Sequence, residues 1–174
     1  QKYPLLTAEL SDEVFFTTAQ ELEDRWPDLT PKQREDMITR EHGTVFIEGI
    51  GWPLAGGQPH DGRAPDYDDW SLNGDLLFWD ETLGHALEIS SMGVRVDENS
   101  LPRQLAAAGA EDRMRYAYHQ AIVDGTLPLT IGGGIGQSRL CMLMLEKAHI
   151  GEVQVSVWPP ETVAACAAHG IPLL

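Results

Sequence analysis

Apolar positions change their period several times along the chain, and each change predicts an element. Leu22 and Trp26 share a helical face behind Thr18-Ala19-Gln20-Glu21, which has the form of a capping box. Thr30-Pro31-Lys32-Gln33 opens a second helix, with proline at its first position and Gly43 beyond its end. The charged faces of both helices read as solvated surface. Strands are expected over 44–50, 73–79 and 85–97, the last two joined by a tight turn over 80–84. Residues 51–65, rich in Gly and Pro, read as loop. Ser100 is expected to cap a short helix ending at Gly109, and a longer helix should run from Glu111 to Asp124 and stop at Gly125. Leu127, Leu129 and Ile131 then suggest a strand, Gly132 to Gly136 a bend, and Leu140 to Leu145 a buried helix. Alternating residues over 152–158 predict a final strand, and the tail beyond has no strong pattern. Strands joined by a tight turn pair antiparallel. The expected fold is therefore α+β, an antiparallel β-sheet flanked by helices, in one domain.

Within the third strand, period two places Glu88 and Ser90 on one face and Leu87 and Ile89 on the other. A bulge at Gly93 would change parity and bring Arg95 to the face of Glu88. Asp75 would then neighbour Glu88 across the hairpin. Two carboxylates with oxygen-only neighbours suit Mg²⁺, which commonly binds together with substrate phosphates.

The densest signal is Gly132-Gly133-Gly134-Ile135-Gly136-Gln137-Ser138-Arg139. Successive glycines admit a close ligand, and an arginine in a first helical turn opposes the helix dipole, so an anionic or aromatic ligand would account for it. The stretch lacks the Lys of a P-loop, the third glycine of a dinucleotide fingerprint, and the glycine that a nucleophile elbow would need at Leu140. Arg63-Ala64-Pro65-Asp66-Tyr67-Asp68-Asp69-Trp70 mixes one cation, three carboxylates and two aromatics in a loop, a composition that can recognise an amino group and a carboxylate together.

Composition narrows the classes. The 174 residues carry a net charge of −15, which disfavours nucleic acid and anionic membrane surfaces as partners. No run of about 18 apolar residues is present, so no membrane span is expected. No leader is visible. The two cysteines, Cys141 and Cys166, do not form a disulfide framework, and a cytoplasmic location is the default; Cys141 reads as a small core residue. The six histidines show no zinc spacing, and His119 reads as packed or surface-exposed.

Taken in order, Arg63 to Trp70, Leu72-Asn73-Gly74-Asp75, Leu87 to Asp97 and Thr130 to Leu140 resemble the C-terminal half of the A-type, ammonia-dependent asparagine synthetases. Glu111-Asp112-Arg113 and Trp158-Pro159 agree as well, so the resemblance covers nearly the whole chain. It implies a partial catalytic core of the class II aminoacyl-tRNA synthetase fold, with residues 1–174 forming the C-terminal part of a single catalytic domain whose N-terminal half is absent. It also implies a reaction in which L-aspartate and ATP form a β-aspartyl adenylate and pyrophosphate, and ammonia then yields asparagine and AMP. By the same resemblance, Arg139 would hold ATP, Gly132, Gly133 and Gly134 would leave it room, and Asp75 and Glu88 would hold Mg²⁺. Ser90 and Ser91 would contact nucleotide or substrate. Arg95 would meet a substrate carboxylate, and Asp68, with Asp66 and Tyr67, the ammonium or the incoming amine. Arg63 would meet phosphate or carboxylate. A homodimer is implied by the family alone. The alternatives are a catalytic fragment of an aspartyl- or asparaginyl-tRNA synthetase, and a non-catalytic paralogue that binds amino acid or AMP. Two departures stand out: family members are much longer, and their loop between Asp-Asp-Trp-Ser and Leu-Asn-Gly-Asp is missing, so that Ser71 joins Leu72 directly.

Overall fold

A computed structural model describes residues 6–8 and 10–174. Five strands form one sheet in chain order: β1 (Phe15–Thr18), β2 (Thr44–Glu48), β3 (Asp68–Asp80), β4 (His85–Arg95) and β5 (Ile131–Ile135). The sheet is antiparallel from β2 to β5, and β1, which the apolar pattern did not reveal, adds to β2 in parallel. Helices α1 (Ala19–Arg25) and α2 (Pro31–His42) start at the two expected capping boxes, with both reciprocal bonds formed.

Strand register decides which face each residue takes. Val45, Ile47, Leu77 and Ala86 point to the face covered by α1 and α2, where they pack with Ala19, Leu22 and Ile38. Phe78, Leu87 and Ile89 point to the other, against Met142 and Leu143 of α5 (Gln137–Met144). A one-residue slip would carry both sets to the wrong side, which pins the register strongly. A third cluster, Val96, Leu101, Leu105 and Ile122, seats α3 (Ser100–Ala107) and α4 (Ala117–Val123) beyond the end of β4.

Several elements differ from expectation. Asp97, not Ser100, satisfies the start of α3: its carboxylate accepts from the amides of Asn99 and Ser100 at 2.9 and 2.7 Å, and Ser100 is the first helical residue. The backbone bond from Ser100 is the main influence holding the Asp97 carboxyl below its usual range. Asp97→Ala should therefore cost about 1 kcal/mol, a typical cap, read as a lower denaturation midpoint with unchanged slope. The helix expected over 111–124 breaks at Tyr116, whose backbone is extended, into a 3₁₀ turn (Glu111–Arg115) and α4. The strand expected over 152–158 does not form. Val155 and Val157 alternate correctly but find no ladder partner among the described residues and stay exposed, and the patternless tail instead forms α6 (Pro160–Ala168). Cys141 is exposed and Cys166 buried, the reverse of the emphasis expected. β3 runs straight through Ser71 and Leu72. Five steps from Asp68 to Asn73 oppose only two from Arg95 to Gly93, so the surplus residues bulge at this junction. No described helix is long and apolar enough to cross a membrane.

Candidate functional site

Beside α1 and α2, on the same face of the sheet, carboxylates and guanidiniums meet. Asp75 stands in the middle of β3, in one row with Ser91 and Gly134. It is only 6% exposed, and Arg63 from the preceding loop reaches its Oδ2. Its Oδ1 is enclosed without a hydrogen-bond partner. Glu88 lies on β4 opposite Leu77, the neighbour but one of Asp75. Arg139 comes from α5 past the end of β5. It donates to the Glu88 carbonyl at 3.0 Å and lies 3.3 Å from the Glu88 carboxylate. Burial pushes the Glu88 carboxyl up, and the negative charge of Asp75 adds to it; Arg139 and Arg63 oppose the shift, and Glu35 reinforces it. Asp75 and Glu88 are thus close enough to repel one another.

The second half of the cluster lies farther along β4. Arg95 pairs with Asp68, lies 3.7 Å from the Tyr67 ring centroid and donates to its hydroxyl at 2.9 Å. Gly132 makes room for it, since a Cβ there would lie 2.5 Å from Arg95 Nη2. A Cβ at Gly134 would meet nothing within 4 Å, so the row of Asp75 and Ser91 opens into free space. Asp66 is already engaged: Arg113 and His119 each bond it at 3.0 Å, and together they outweigh its burial and hold its carboxyl below the usual range.

The structure thus gathers Arg63, Asp75, Glu88, Ser91, Arg95, Tyr67, Asp68, Gly132, Gly134 and Arg139 on one face. Ser90 and Gly133 do not join them. The parity change occurs at Ile89, not at Gly93: Leu76 pairs with Ser90 and Leu77 with Glu88, so Ile89 is the surplus residue. Glu88 therefore shares its face with Ser91, whereas Ser90 points with Leu76 and Ile135 to the opposite side. The net effect on Arg95 is the one the sequence suggested. The glycines are themselves strand β5 and not a bend, and Leu127, Leu129 and Ile131 before them are exposed.

Three contributors were not legible in the sequence. Glu35 bonds His60 Nε2 at 3.1 Å and Lys32 Nζ at 3.1 Å, and they line a cleft of about 560 Å³ that continues to Glu88 and Arg139. The charged face of α2 is therefore not simply solvated, and Arg34 beside it is also buried, donating to the carbonyls of Trp26 and Pro27. A larger hollow, about 1060 Å³, lies on the opposite face among Phe46, Leu76, Met92 and Ile135. Ser90, Gly132 and Gly133 line it, but none of the ionisable candidate residues does, whereas Glu88 and Arg139 line the smaller cleft. Burial alone would raise the Glu35 carboxyl, but His60 and then Lys32 outweigh it and hold it below its ordinary 4.5. A depressed carboxyl stabilises the fold above its unfolded value and loses that contribution as pH falls through the folded one. Acid unfolding should accordingly be shallower between pH 4.5 and the folded value in Glu35→Gln than in wild type, as measured by denaturation midpoints against pH.

A divalent cation fits part of this cluster. No group of three or more His, Cys, Asp or Glu side chains among the described residues could cage a metal. The unpartnered Oδ1 of Asp75 beside Glu88 supplies two carboxylates, which suits Mg²⁺ that takes its remaining ligands from phosphates and water.

A family model described as aspartate-ammonia ligase matches residues 1–170. Proteins named aspartate--ammonia ligase are 60% identical over 173 residues in Pediococcus pentosaceus (99% of this chain, 52% of that protein) and 57% identical over 173 residues in Bacillus cereus (99% and 53%). The chain spans about half the length of the curated relatives it matches. Among solved structures, the aspartyl tRNA synthetase of Entamoeba histolytica aligns with a TM-score of 0.56 at 19% identity, over 86% of this chain and 32% of that one. The asparaginyl-tRNA synthetase of the same organism, in complex with asparaginyl-adenylate, aligns with a TM-score of 0.56 at 22% identity, over 87% and 36%. At such identities the likeness concerns the fold, and the fold is that of the class II synthetases.

Proposed function

The chain belongs to the aspartate-ammonia ligase family, and from that premise we propose that its site serves the ATP-dependent amidation of L-aspartate by ammonia. The observation that supports this most is the convergence of Asp75, Glu88, Arg63 and Arg139 on one face of the sheet, continuous with the Arg95–Asp68 pair. In this reading residues 1–174 are the C-terminal part of a single catalytic domain that works in a cytoplasmic homodimer.

Asp75 and Glu88 would hold Mg²⁺, which when bound offsets triphosphate charge and eases departure of pyrophosphate. Arg139 stacks on the adenine or meets phosphate charge with its planar fork, and Arg63 meets the phosphates from the other side. Gly134 leaves the space above Ser91 open to the nucleotide. Arg95 takes a carboxylate of aspartate, and Asp68 its ammonium or the arriving amine. The aspartate β-carboxylate attacks the α-phosphorus, giving the β-aspartyl adenylate and pyrophosphate. Ammonia then adds to the acyl carbon, loses a proton, and expels AMP. No enzyme nucleophile is required, because the substrate itself carries the activated acyl group. Ser90, Gly133 and Asp66 have no ligand contact in this scheme: the first two face away, and Asp66 is held by Arg113 and His119.

The test is pyrophosphate release from ATP and aspartate, with and without ammonia and with and without tRNA. Ammonia-dependent AMP formation is the expected result. Transfer to tRNA would identify an aminoacylating fragment instead, and nucleotide binding without turnover a non-catalytic paralogue.

A further inference from the structure

The segment from Pro59 to Trp70 carries Arg63, Tyr67 and Asp68, yet only its last three residues belong to a strand. Two enclosed polar side chains hold it. Gln104 of α3 is 0% exposed; its Oε1 accepts from the Trp70 amide at 2.8 Å, and its Nε2 donates to the carbonyls of Pro65 and Asp68 at 3.1 and 3.0 Å. All three of these bonds go to the backbone of this one segment. At the other end the buried imidazole of His60 meets Glu35, which bonds Lys32, whose Nζ donates to the Ala86 carbonyl of β4 at 2.8 Å. That tie runs from the loop through α2 to the sheet. An ionised Glu35 only accepts, so His60 Nε2 is the donor, and Nδ1 is enclosed without a hydrogen-bond partner. Three residues beyond His60, Arg63 is steadied by Asp61 at 3.3 Å and reaches Asp75.

We propose that Gln104 and His60 are positioning residues that act on separate halves of this segment: Gln104 sets Asp68, and through it Arg95, for the amino-acid substrate, while His60 sets Arg63 against Asp75 for the metal and triphosphate. The ligands named for each half rest on the function proposed above; the division into two separately held halves does not. Between them, Pro65 fixes its own backbone torsion and the Ala64 carbonyl accepts from the Trp70 indole at 3.3 Å, so disturbance of one half has a stiff hinge to cross. Removing Gln104 leaves one amide and two carbonyls without partners in an enclosed place, and the local answer is to open that stretch to water.

Amide hydrogen exchange on this chain tests the division directly. In Gln104→Met, exchange over 66–70 should quicken by about tenfold or more while 61–63 stays at the wild-type rate. His60→Ala should do the reverse, and His60→Gln should restore the wild-type rate, because its terminal N–H reaches where Nε2 stood. Should Gln104→Met fail to fold, the wild type still decides: the Trp70 amide, bonded to Gln104, must exchange far more slowly than an unprotected amide. Uniform quickening of both halves, a His60→Gln as fast as the alanine variant, or an unprotected Trp70 amide would overturn the proposal. Calorimetry with Mg·ATP then addresses the ligand. His60→Ala should weaken binding about tenfold and Gln104→Met by less than about twofold. Divided exchange with unchanged Mg·ATP affinity in His60→Ala would overturn the role of His60 toward nucleotide. Absence of Mg·ATP binding by the folded wild type would instead be a failure of the site assignment, with the exchange data standing on their own.

Discussion

Arg139→Ala should lower the exchange of labelled pyrophosphate into ATP by about 100- to 1000-fold, the scale of losing one preorganised charge donor in a synthetase-like site. The fold should survive the change. The side chain is 47% exposed, and its pairing with Glu88 is of the half-solvated kind that contributes about 1 kcal/mol or less. What the variant removes is the planar cation at the mouth of the cleft, together with the partner that restrains the already raised carboxyl of Glu88. Glu88 would then be protonated over a wider pH range and hold a cation less well, so the loss should deepen as pH falls. Arg139→Lys keeps the charge without the flat, forked donor set and should recover only part of the activity. Exchange within a few-fold of wild type in the alanine variant would remove Arg139 from the nucleotide site.

Local rules made much of this arrangement legible. Capping boxes placed both opening helices, and alternation placed Glu88 on the face opposite Leu87 and Ile89. The segments that carry the family resemblance contain the acids and arginines that the sheet brings together. What stayed hidden depends on contacts between distant parts of the chain. No local signal distinguishes a bulge at Ile89 from one at Gly93, because both restore the parity of Arg95; only the pairing partner on β3 decides, and that moved Ser90 off the site. The glycines read as a bend because conformational freedom is their commonest use, whereas here they form a strand, in which Gly132 leaves room for Arg95 and a Cβ at Gly134 would meet nothing within 4 Å. Gln104 sits in a run of ordinary helix formers, and Glu35 in a charged helix; neither announces that it is enclosed. The edge strand β1 is four residues long, too short for period-two alternation to stand out against the chain around it.

The pairing of every site acid with a site arginine leads to a second large effect, one of opposite sign for two ligands. Arg63 occupies Oδ2 of Asp75, Arg139 neighbours Glu88, and Arg95 occupies Asp68, so without ligand the cluster neutralises itself. A metal–triphosphate can enter by exchange, the cation taking the carboxylates and the phosphates the guanidiniums, with little net change in buried charge. A bare divalent cation gains no such exchange, because it must approach Asp75 against the positive charge of Arg63, and two unit charges about 4 Å apart at an effective dielectric near 20 interact by about 4 kcal/mol. Arg63→Met should therefore strengthen binding of Mn²⁺ alone by about tenfold or more, the larger limit being reduced by solvent. The same variant should weaken Mg·ATP by about 100-fold, through loss of a charge-assisted phosphate contact. Both titrations should be run near pH 8, with Mn²⁺ followed by electron paramagnetic resonance and nucleotide by calorimetry. If Arg63 only props up the loop, the two affinities must fall together, and the exchange of partners at Asp75 would have to be abandoned.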